Sequence, residues 1–290
     1  MLRAQKVGAE MGKIDLHMHS NASDGSFSPE DVARMAAGNG IEVFSLTDHD
    51  TLDGIPAAAA FASKSGIRLI TGVELSVSEE GMDVHLLAYG FDATEPMLVA
   101  AVARYRDGRR ERARKILMRL KGLGIRISLE EVEGIANGGA LGRPHVAEAL
   151  LRMGHVENFN EAFQRYLGHH APAYVPKPRV TLEESSAIVR DAGGVTILAH
   201  PGTVNRDHLI PAWARRGLDG IEVWHSKHDA AAVQRYRGFA NLHGLLMTGG
   251  SDYHGERTPG IVIGSVPVPD EILKPLDAAL KARRPVRSRS

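Results

Sequence analysis

Short apolar runs alternate with amphipathic stretches along this chain, which is the pattern of strands separated by helices. The first helix illustrates it: Ser28 caps the helix, Pro29 takes its first position and Glu30 complements its dipole. Strands are predicted at residues 14–17, 43–47, 68–75, 84–89, 195–199, 220–224 and 245–248. Because these segments alternate with helices, the pattern predicts an α/β protein built around a parallel barrel.

Two features interrupt the alternation. Segments 68–75 and 84–89 are joined through Glu79, Glu80 and Gly81, so a hairpin is expected there. Between residues 93 and 170 helical patterns follow one another without a strand, which predicts a helical insertion domain. Its first helix, about residues 95–120, is rich in arginine, and we expect a solvated charged face.

The resulting organisation has five parts. Residues 1–12 form a leader, residues 13–92 and 171–265 form the two parts of the barrel, and residues 93–170 form the insertion. Residues 266–290 are expected to be a C-terminal tail. From Lys281 onward, the arginines at positions 283, 284, 287 and 289 predict a frayed, solvated end.

Charge balance and residue types narrow the function classes. The 290 residues hold 35 Lys plus Arg against 35 Asp plus Glu, so a broad nucleic-acid-coating surface is not expected. The absence of cysteine excludes disulfides, thiolate metal sites and cysteine nucleophiles. No apolar run approaches the roughly 18 residues of a membrane-spanning helix. We therefore expect a cytoplasmic protein that needs neither a membrane nor an obligate protein partner.

Histidine and carboxylate side chains gather at the carboxyl ends of the predicted strands. His17 and His19 close the first strand at positions i and i+2, which point to one face. Similar groups end or follow other strands: Asp48, His49, Glu74, His85, His200, His225, Asp252 and His254. In βα barrels this rim holds the active site, and buried ionisable groups are costly unless paired or bound to metal. The sequence therefore predicts a metal centre whose nitrogen and oxygen ligands suit Mn²⁺, Fe²⁺ or Zn²⁺ better than Mg²⁺.

These motifs resemble the PHP (polymerase and histidinol phosphatase) family of metal-dependent phosphoesterases. The resemblance is carried by Asp15-Leu16-His17-Met18-His19, Leu46-Thr47-Asp48-His49-Asp50, Gly72-Val73-Glu74, His85, Leu198-Ala199-His200-Pro201 and Ser251-Asp252-Tyr253-His254. It implies a distorted (β/α)7 barrel, interrupted by the helical insertion, with a metal cluster at its carboxyl rim.

The resemblance also implies a ligand set for three divalent ions, with manganese the first expectation. The first ion would be held by His17, His19, Glu74 and Asp252, the second by Glu74, His85 and His200, and the third by Asp24, His49 and His254. Asp24 departs from family members that carry histidine there. Asp48 has no place in the set and is expected to orient a metal-binding histidine. The implied chemistry is attack on a phosphate ester by hydroxide formed from a water that bridges the ions.

The insertion and the segment after it supply candidate substrate contacts. Arg143 immediately precedes the helix that we predict to begin at Pro144, and Lys177 and Arg179 lie in a proline-stiffened stretch, so all three cations are candidates for phosphate binding. These segments resemble PHP proteins that act on nucleotides. That resemblance implies removal of the 3′-phosphate from nucleoside 3′,5′-bisphosphates such as pAp, and 5′→3′ trimming of short RNA.

Two histidines are candidates for catalytic roles. His145 is expected to orient the substrate or to act as a general acid. His225, at a predicted strand end, is expected to protonate the leaving hydroxyl.

Three alternatives remain open. A histidinol-phosphate monoesterase needs only one phosphate site and predicts no basic clamp. A metal-dependent amidohydrolase would use the same metal chemistry on C–N bonds and predicts a neutral pocket without Arg143. The non-enzyme alternative is a metal-stabilised accessory module, like the degenerate PHP domains of polymerases.

Overall fold

Eight strands form two sheets in the structure, a computed structural model that describes residues 13–176 and 180–283. The first sheet is parallel and has the order β1 (Ile14–Asp15), β2 (Val43–Phe44), β3 (Arg68–Leu69). The second has the order β4 (Gly72–Glu79), β5 (Met82–Tyr89), β6 (Val195–Leu198), β7 (Gly220–His225), β8 (Leu246–Gly250). The α/β class predicted from the alternating pattern is confirmed.

The predicted hairpin is present, and it makes the expectation of a wholly parallel barrel wrong. Strands β4 and β5 pair antiparallel around Glu80 and Gly81, whose φ angles of 51° and 80° are both positive. Such two-residue turns match the twist of a hairpin, whereas parallel strands need a long crossover. Strand β5 also pairs antiparallel with β6, and parallel pairing resumes between β6, β7 and β8.

Backbone hydrogen bonds join the two sheets on both sides. On one side the amide of Leu16 donates to the carbonyl of Gly249 over 3.1 Å. On the other, the amide of Glu74 donates to the carbonyl of Thr47 over 3.1 Å. A Cβ atom at Gly250 would lie 2.4 Å from the amide nitrogen of His17, so glycine is required for this close approach. The ends of β1, β2, β4 and β8 are thereby brought together.

Eleven α-helices accompany the strands over the described residues. They are α1 (Pro29–Gly38), α2 (Ile55–Ser65), α3 (Pro96–Gly122), α4 (Leu129–Ala136), α5 (Arg143–Arg152), α6 (Phe159–Ala162), α7 (Leu182–Asp191), α8 (Pro201–Val204), α9 (Ile210–Arg215), α10 (Ala230–His243) and α11 (Leu273–Arg283). None of these helices combines the length and the apolar character needed to span a bilayer.

Helices α3 to α6 follow one another with no strand among residues 96–167, all of which the structure describes. They enclose an apolar core of their own, to which Ile116, Leu120, Val132, Val146 and Leu150 belong. The beginning of α3 instead packs on the core of the sheets through Leu98 and Val102. Helix α3 therefore connects the two cores.

The C-terminal region packs on the molecule as far as it is described. Leu276 is fully buried and belongs to the core of the sheets, and Ile272 is also buried there. The guanidinium of Arg283 donates to Asp219 over 2.5 Å and to the carbonyl of Gly194 over 2.8 Å. The expectation of a frayed end from Lys281 onward is therefore wrong for residues 281–283, which form the last turn of α11. The other tail arginines lie beyond the described residues, as does the leader.

Candidate metal centre

The segment after β1 places two imidazoles side by side. His17 and His19 point to the same side, with Met18 between them buried in an apolar cluster. Their Nε2 atoms lie 3.1 Å apart. Two nitrogens this close, both fully buried, are compatible only if one proton is shared between them or a cation lies nearby.

Glu74 lies at the centre of the cluster. Its Oε2 atom is 3.3 Å from His17 Nε2, 3.1 Å from His19 Nε2 and 3.2 Å from His49 Nδ1. Its Oε1 atom is 2.5 Å from His85 Nδ1 and 3.1 Å from His200 Nε2. Burial alone would raise the pKa of Glu74, but His49, His85 and His17 outweigh it and hold the pKa well below its ordinary value.

Asp252 approaches the same imidazoles from β8. Its Oδ1 atom lies 3.4 Å from His17 Nε2 and 3.5 Å from His254 Nδ1. Burial opposes ionisation, yet His17 and His254 hold the pKa of Asp252 well below its ordinary value. Both Asp252 and His200 have positive φ angles, 57° and 31°. Such backbone strain in non-glycine residues persists where the surrounding structure enforces it, commonly at functional sites.

A second carboxylate, Asp24, completes a neighbouring group. Its Oδ1 atom is 3.4 Å from His254 Nε2, and its Oδ2 atom is 3.9 Å from His49 Nε2. His19 Nδ1 lies 4.0 Å from Asp24 Oδ1. Although burial opposes it, the nearby His49 and His254 rings lower the pKa of Asp24 well below its ordinary value.

All nine side chains of the implied ligand set lie in this one cluster, and its donors are suited to divalent ions. Ligand atoms about 2.0–2.2 Å from an ion lie about 3.0–3.6 Å from one another, which matches most separations around Glu74 and Asp252. Four overlapping groups could hold an ion: His19, Asp24, His49 and His254; His17, His225 and Asp252; His17, His19 and Glu74; His49, Glu74 and His85. His19 Nδ1 is buried and forms no hydrogen bond within the described part of the chain. The residues therefore fit bound metal.

Glu222 is a carboxylate of this site that the sequence analysis missed. It is fully buried, its Oε1 lies 2.9 Å from His17 Nδ1, and its Oε2 accepts the amide of His200 over 2.7 Å. A β-bulge between Glu222 and Trp224 lets Glu222 and His225 face the same side of β7. A charged residue inside the otherwise apolar segment 220–224 is the feature that could have revealed it.

The expectation that Asp48 orients a histidine is wrong, because its hydrogen-bond partners are serines. Its carboxylate accepts hydrogen bonds of 2.7 Å from the Ser20 amide, the Ser20 hydroxyl and the Ser23 hydroxyl. It therefore stabilises the loop that carries Asp24.

Arg143 lies in the insertion with its guanidinium partly exposed. Helix α5 begins at Arg143 itself. The Arg143 guanidinium donates to the carbonyl of Leu167 over 3.2 Å and lies 3.5 Å from Asp83 Oδ2. Asp83 is two residues from His85 on β5 and on the same face of that strand. Lys177 and Arg179, the other two predicted phosphate contacts, lie outside the described residues.

Helix α3 supplies a second arginine that the sequence analysis took for part of a solvated face. Arg112 is buried, its Nη2 lies 3.1 Å from Asp83 Oδ2, and its Nε donates to the carbonyl of Val175 over 2.7 Å. Arg109 is largely buried as well and pairs with Asp50. The solvated interpretation is wrong for these two residues, because α3 crosses the hairpin β4–β5 with this face inward. We call Arg112, Arg143 and Asp83 the arginine cluster.

The two candidate catalytic histidines differ in their surroundings. His145 is buried, its Nδ1 accepts the amide of Gly142 over 3.0 Å, and burial lowers its pKa to about 4. His225 Nδ1 accepts the amide of Lys227 over 3.1 Å, and its Nε2 lies 3.3 Å from Asp252 Oδ2. With Nδ1 accepting, the proton of a neutral His225 ring resides on Nε2 and points to the cluster.

Comparison with known proteins agrees with this geometry. The model of the PHP domain matches residues 15–257, a range that contains every side chain of the metal cluster. The chain belongs to the PHP family. A degenerate accessory module would be expected to lack metal ligands. The PHP positions described above all hold groups able to bind metal, so this alternative is not supported.

Two relatives of this PHP protein have named activities. The 3′,5′-nucleoside bisphosphate phosphatase of Chromobacterium violaceum is 34% identical over 279 residues, which cover 94% of this chain and 98% of the relative. The 5′-3′ exoribonuclease Rnm of Escherichia coli is 32% identical over 257 residues, 86% of this chain and 87% of the relative. A crystal structure from Bifidobacterium adolescentis, assigned by inference as a metal-dependent phosphoesterase, has a TM-score of 0.85 at 30% identity and covers 93% of this chain and 98% of its own.

Proposed function

We propose that this PHP protein is a metal-dependent phosphoesterase that removes the 3′-phosphate from nucleoside 3′,5′-bisphosphates such as pAp, and that it also trims short RNA from the 5′ end. The observation that carries the proposal is the arginine cluster next to the metal cluster. The activities named for the Chromobacterium violaceum and Escherichia coli relatives point to the same substrates.

The metal cluster would bind the phosphate that is removed. We propose that up to three divalent ions, manganese first, are held by His17, His19, Asp24, His49, Glu74, His85, His200, Asp252 and His254. Bound divalent ions supply a nucleophile from water at neutral pH and neutralise charge on the phosphate. Glu222 holds the ring of His17 through Nδ1, which leaves His17 Nε2 directed at the ions.

The arginine cluster would bind the second phosphate. Asp83 and His85 are two strand residues apart, which corresponds to about 7 Å along β5. This is about the distance that one ribose places between its 3′- and 5′-phosphates. Arg112 and Arg143 thus lie where the 5′-phosphate of a bisphosphate would reach while its 3′-phosphate lies at the metals, with Lys177 and Arg179 as further candidates.

The two histidines receive different roles in this proposal. A pKa of about 4 leaves His145 neutral at physiological pH, so we propose that it orients the substrate and is not a general acid. His225 presents its Nε2 proton beside Asp252, and we propose that it donates a hydrogen bond to the leaving 3′-oxygen.

The same arrangement disfavours the two other hydrolase alternatives. A histidinol-phosphate monoesterase has one phosphate to bind and no use for a second cationic site. A neutral amidohydrolase pocket would not place two guanidinium groups around Asp83.

We propose a molecular organisation that suits this function. The hydrogen bonds from Leu16 to Gly249 and from Glu74 to Thr47 support a distorted (β/α)7 barrel assembled from both sheets. The separate core of α3 to α6 supports an insertion domain at about residues 93–170, which carries the arginine cluster's two cations.

The decisive experiment measures hydrolysis by metal-depleted protein reloaded with Mn²⁺. The substrates are pAp, 3′-AMP, 5′-AMP, pApA, histidinol phosphate and an amide substrate. We expect pAp to have the highest kcat/KM among the monoesters, with phosphate released from the 3′ position. Preference for histidinol phosphate or for the amide, or equal use of 3′-AMP and pAp, would contradict the proposal.

A further inference from the structure

We propose that a cavity beside β7 binds the nucleoside that follows the scissile phosphate in a short RNA substrate. This inference rests on the proposed function. The cavity has a volume of about 880 Å³ and lies between β7, helix α10 and residues 260–267. That volume falls within the range of small-molecule sites.

The cavity adjoins the metal cluster through His225. Residues 225, 226 and 228 line the cavity, while the His225 ring belongs to the group formed with His17 and Asp252. Lys227 lies between these lining residues in the sequence. Its side chain is 57% exposed, and its ammonium lies 3.7 Å from Asp252 Oδ2. A polyanionic chain that leaves the metals in this direction would therefore meet a cation before it enters the cavity.

The cavity lies at the opposite end of the cluster from the arginine cluster. The imidazole rings form a row in which His85 and His200 are 5.3 Å apart and His200 and His225 are 5.5 Å apart. Asp83 adjoins the His85 end, and the cavity adjoins the His225 end. A substrate with its 5′-phosphate on the arginines and its next phosphate on the metals would thus continue toward the cavity.

The direction agrees with the chemistry of 5′ trimming. Water adds its oxygen to the scissile phosphorus, the bond from phosphorus to the 3′-oxygen breaks, and the 3′-oxygen keeps one water proton. The phosphate stays on the downstream nucleoside. A bisphosphate such as pAp has no such nucleoside, so the cavity would distinguish RNA from pAp.

The lining suits a nucleoside. Trp224 is largely buried at the base of the lining, with the guanidinium of Arg237 5.8 Å from its ring centroid. Gln234 and Asn241 contribute amides, which hydrogen-bond to base edges, and an unpaired base can stack on a guanidinium plane such as that of Arg237. Arg237 is also placed to pair with a phosphate beyond the nucleoside.

The test compares pAp with pApA as substrates of the Mn²⁺-loaded protein. We expect Asn241→Ala and Arg237→Ala to raise KM for pApA by about three- to tenfold and to leave kcat/KM for pAp unchanged, the size expected for loss of one binding contact. Arg235→Ala is the matched control, because Arg235 lies on the same helix and, like Arg237, has a carboxylate partner, but it does not line the cavity. It should change neither substrate.

The outcomes separate this inference from the proposed function. Equal effects of Asn241→Ala and Arg237→Ala on pAp and pApA, or no effect on either, would overturn the downstream subsite. If the wild-type protein fails to hydrolyse pAp, the proposed function itself fails. Normal pAp hydrolysis without any cleavage of pApA would overturn the subsite together with the RNA-trimming part of the proposed function, and would leave the bisphosphate phosphatase part standing.

Discussion

The metal cluster and the arginine cluster lie next to each other but are built by opposite means. In the metal cluster, imidazole nitrogens converge on the carboxylates of Glu74 and Asp252. In the arginine cluster, two guanidinium groups share the carboxylate of Asp83. The first arrangement offers donors that suit a cation. The second has two positive charges against one negative charge, and this net positive charge suits an anion.

The elements that carry the two clusters differ as well. Strands β4 and β5 and the loops that follow other strands hold the metal cluster, so its geometry follows from the sheets. Helices α3 and α5 hold the arginines, and only Asp83 comes from a strand. Because different elements carry the two clusters, we expect catalysis and substrate choice to be separable. Changes to the metal cluster should affect turnover of every phosphate ester, and changes to the arginines should affect only the substrates with two phosphates.

Asp252→Asn should produce the largest effect, because it removes a charge shared by four imidazoles. We expect kcat for all phosphate esters to fall by about 10³-fold or more, since metal ions supply several kcal/mol of transition-state stabilisation. Metal content measured by elemental analysis should fall too, with far-UV circular dichroism retained. Asp270→Asn, an exposed position, is the control. Full turnover by metal-depleted Asp252→Asn protein would refute the metal-dependent mechanism.

Glu222→Gln tests whether metal binding depends on the carboxylate that contacts His17 Nδ1. Loss of the charge that holds His17 should weaken metal affinity by about 10- to 100-fold, as is usual for partners of metal-binding histidines. The measurement is a Mn²⁺ titration of activity. Activity that saturates at the wild-type Mn²⁺ concentration would remove Glu222 from this positioning role. Excess Mn²⁺ should restore most of kcat, which a merely misfolded variant would not show.

Arg143→Ala and Arg112→Ala should separate the two clusters most directly. Each removes a charge-assisted contact, so we expect KM for pAp to rise by about tenfold. Hydrolysis of an aryl phosphate, which has a single phosphate, should change little. Arg110→Ala is the matched control, since Arg110 is an exposed residue of α3 that pairs with Glu133. Equal losses on both substrates would show that these arginines act on the metal cluster.

His145→Gln should produce the smallest effect, on the pH dependence of stability. Burial lowers the pKa of His145 from 6.5 to about 4, so the unfolded chain binds a proton that the folded chain does not. The stability linked to this ring is present above pH 6.5 and is lost as the pH falls towards 4.

Denaturant unfolding at pH 7 and pH 5 measures this contribution. We expect the free energy of unfolding of wild type to fall by about 2 kcal/mol more than that of His145→Gln over this interval. His208→Gln, at an exposed histidine, should behave like wild type. An unchanged pH dependence in His145→Gln would mean that the buried ring titrates normally.

Part of the metal cluster was predictable from the sequence, because short-range spacing along the chain places some of its side chains. His17 and His19 are two residues apart in an extended segment, and this spacing alone places them on one face. Asp252 follows β8 closely, as the alternation of strands and helices predicted. Glu74 was predicted near the end of a strand at residues 68–75, but it lies near the beginning of β4. The hairpin around Gly81 was likewise visible as two β-rich segments with a glycine turn between them.

The supporting groups depended on tertiary structure. Glu222 reaches His17 only because a bulge shifts the alternation within β7. Arg112 belongs to an arginine-rich helix, and only the crossing of that helix over the hairpin decides that this arginine is buried while Arg110 is exposed. The packing of Arg283 also depended on tertiary structure, because its partner Asp219 is distant in sequence.

The sequence by itself thus determined the α/β class, through the alternation of strands and helices, and the pairing of His17 with His19, through their spacing. The resemblance to the PHP family added the rest of the ligand set, including Asp24. The tertiary structure decided strand direction, the partner of each buried arginine and the position of the cavity beside β7. Those properties arise where distant segments meet, and the free energy of a buried charge depends on what lies opposite it rather than on its neighbours in the chain.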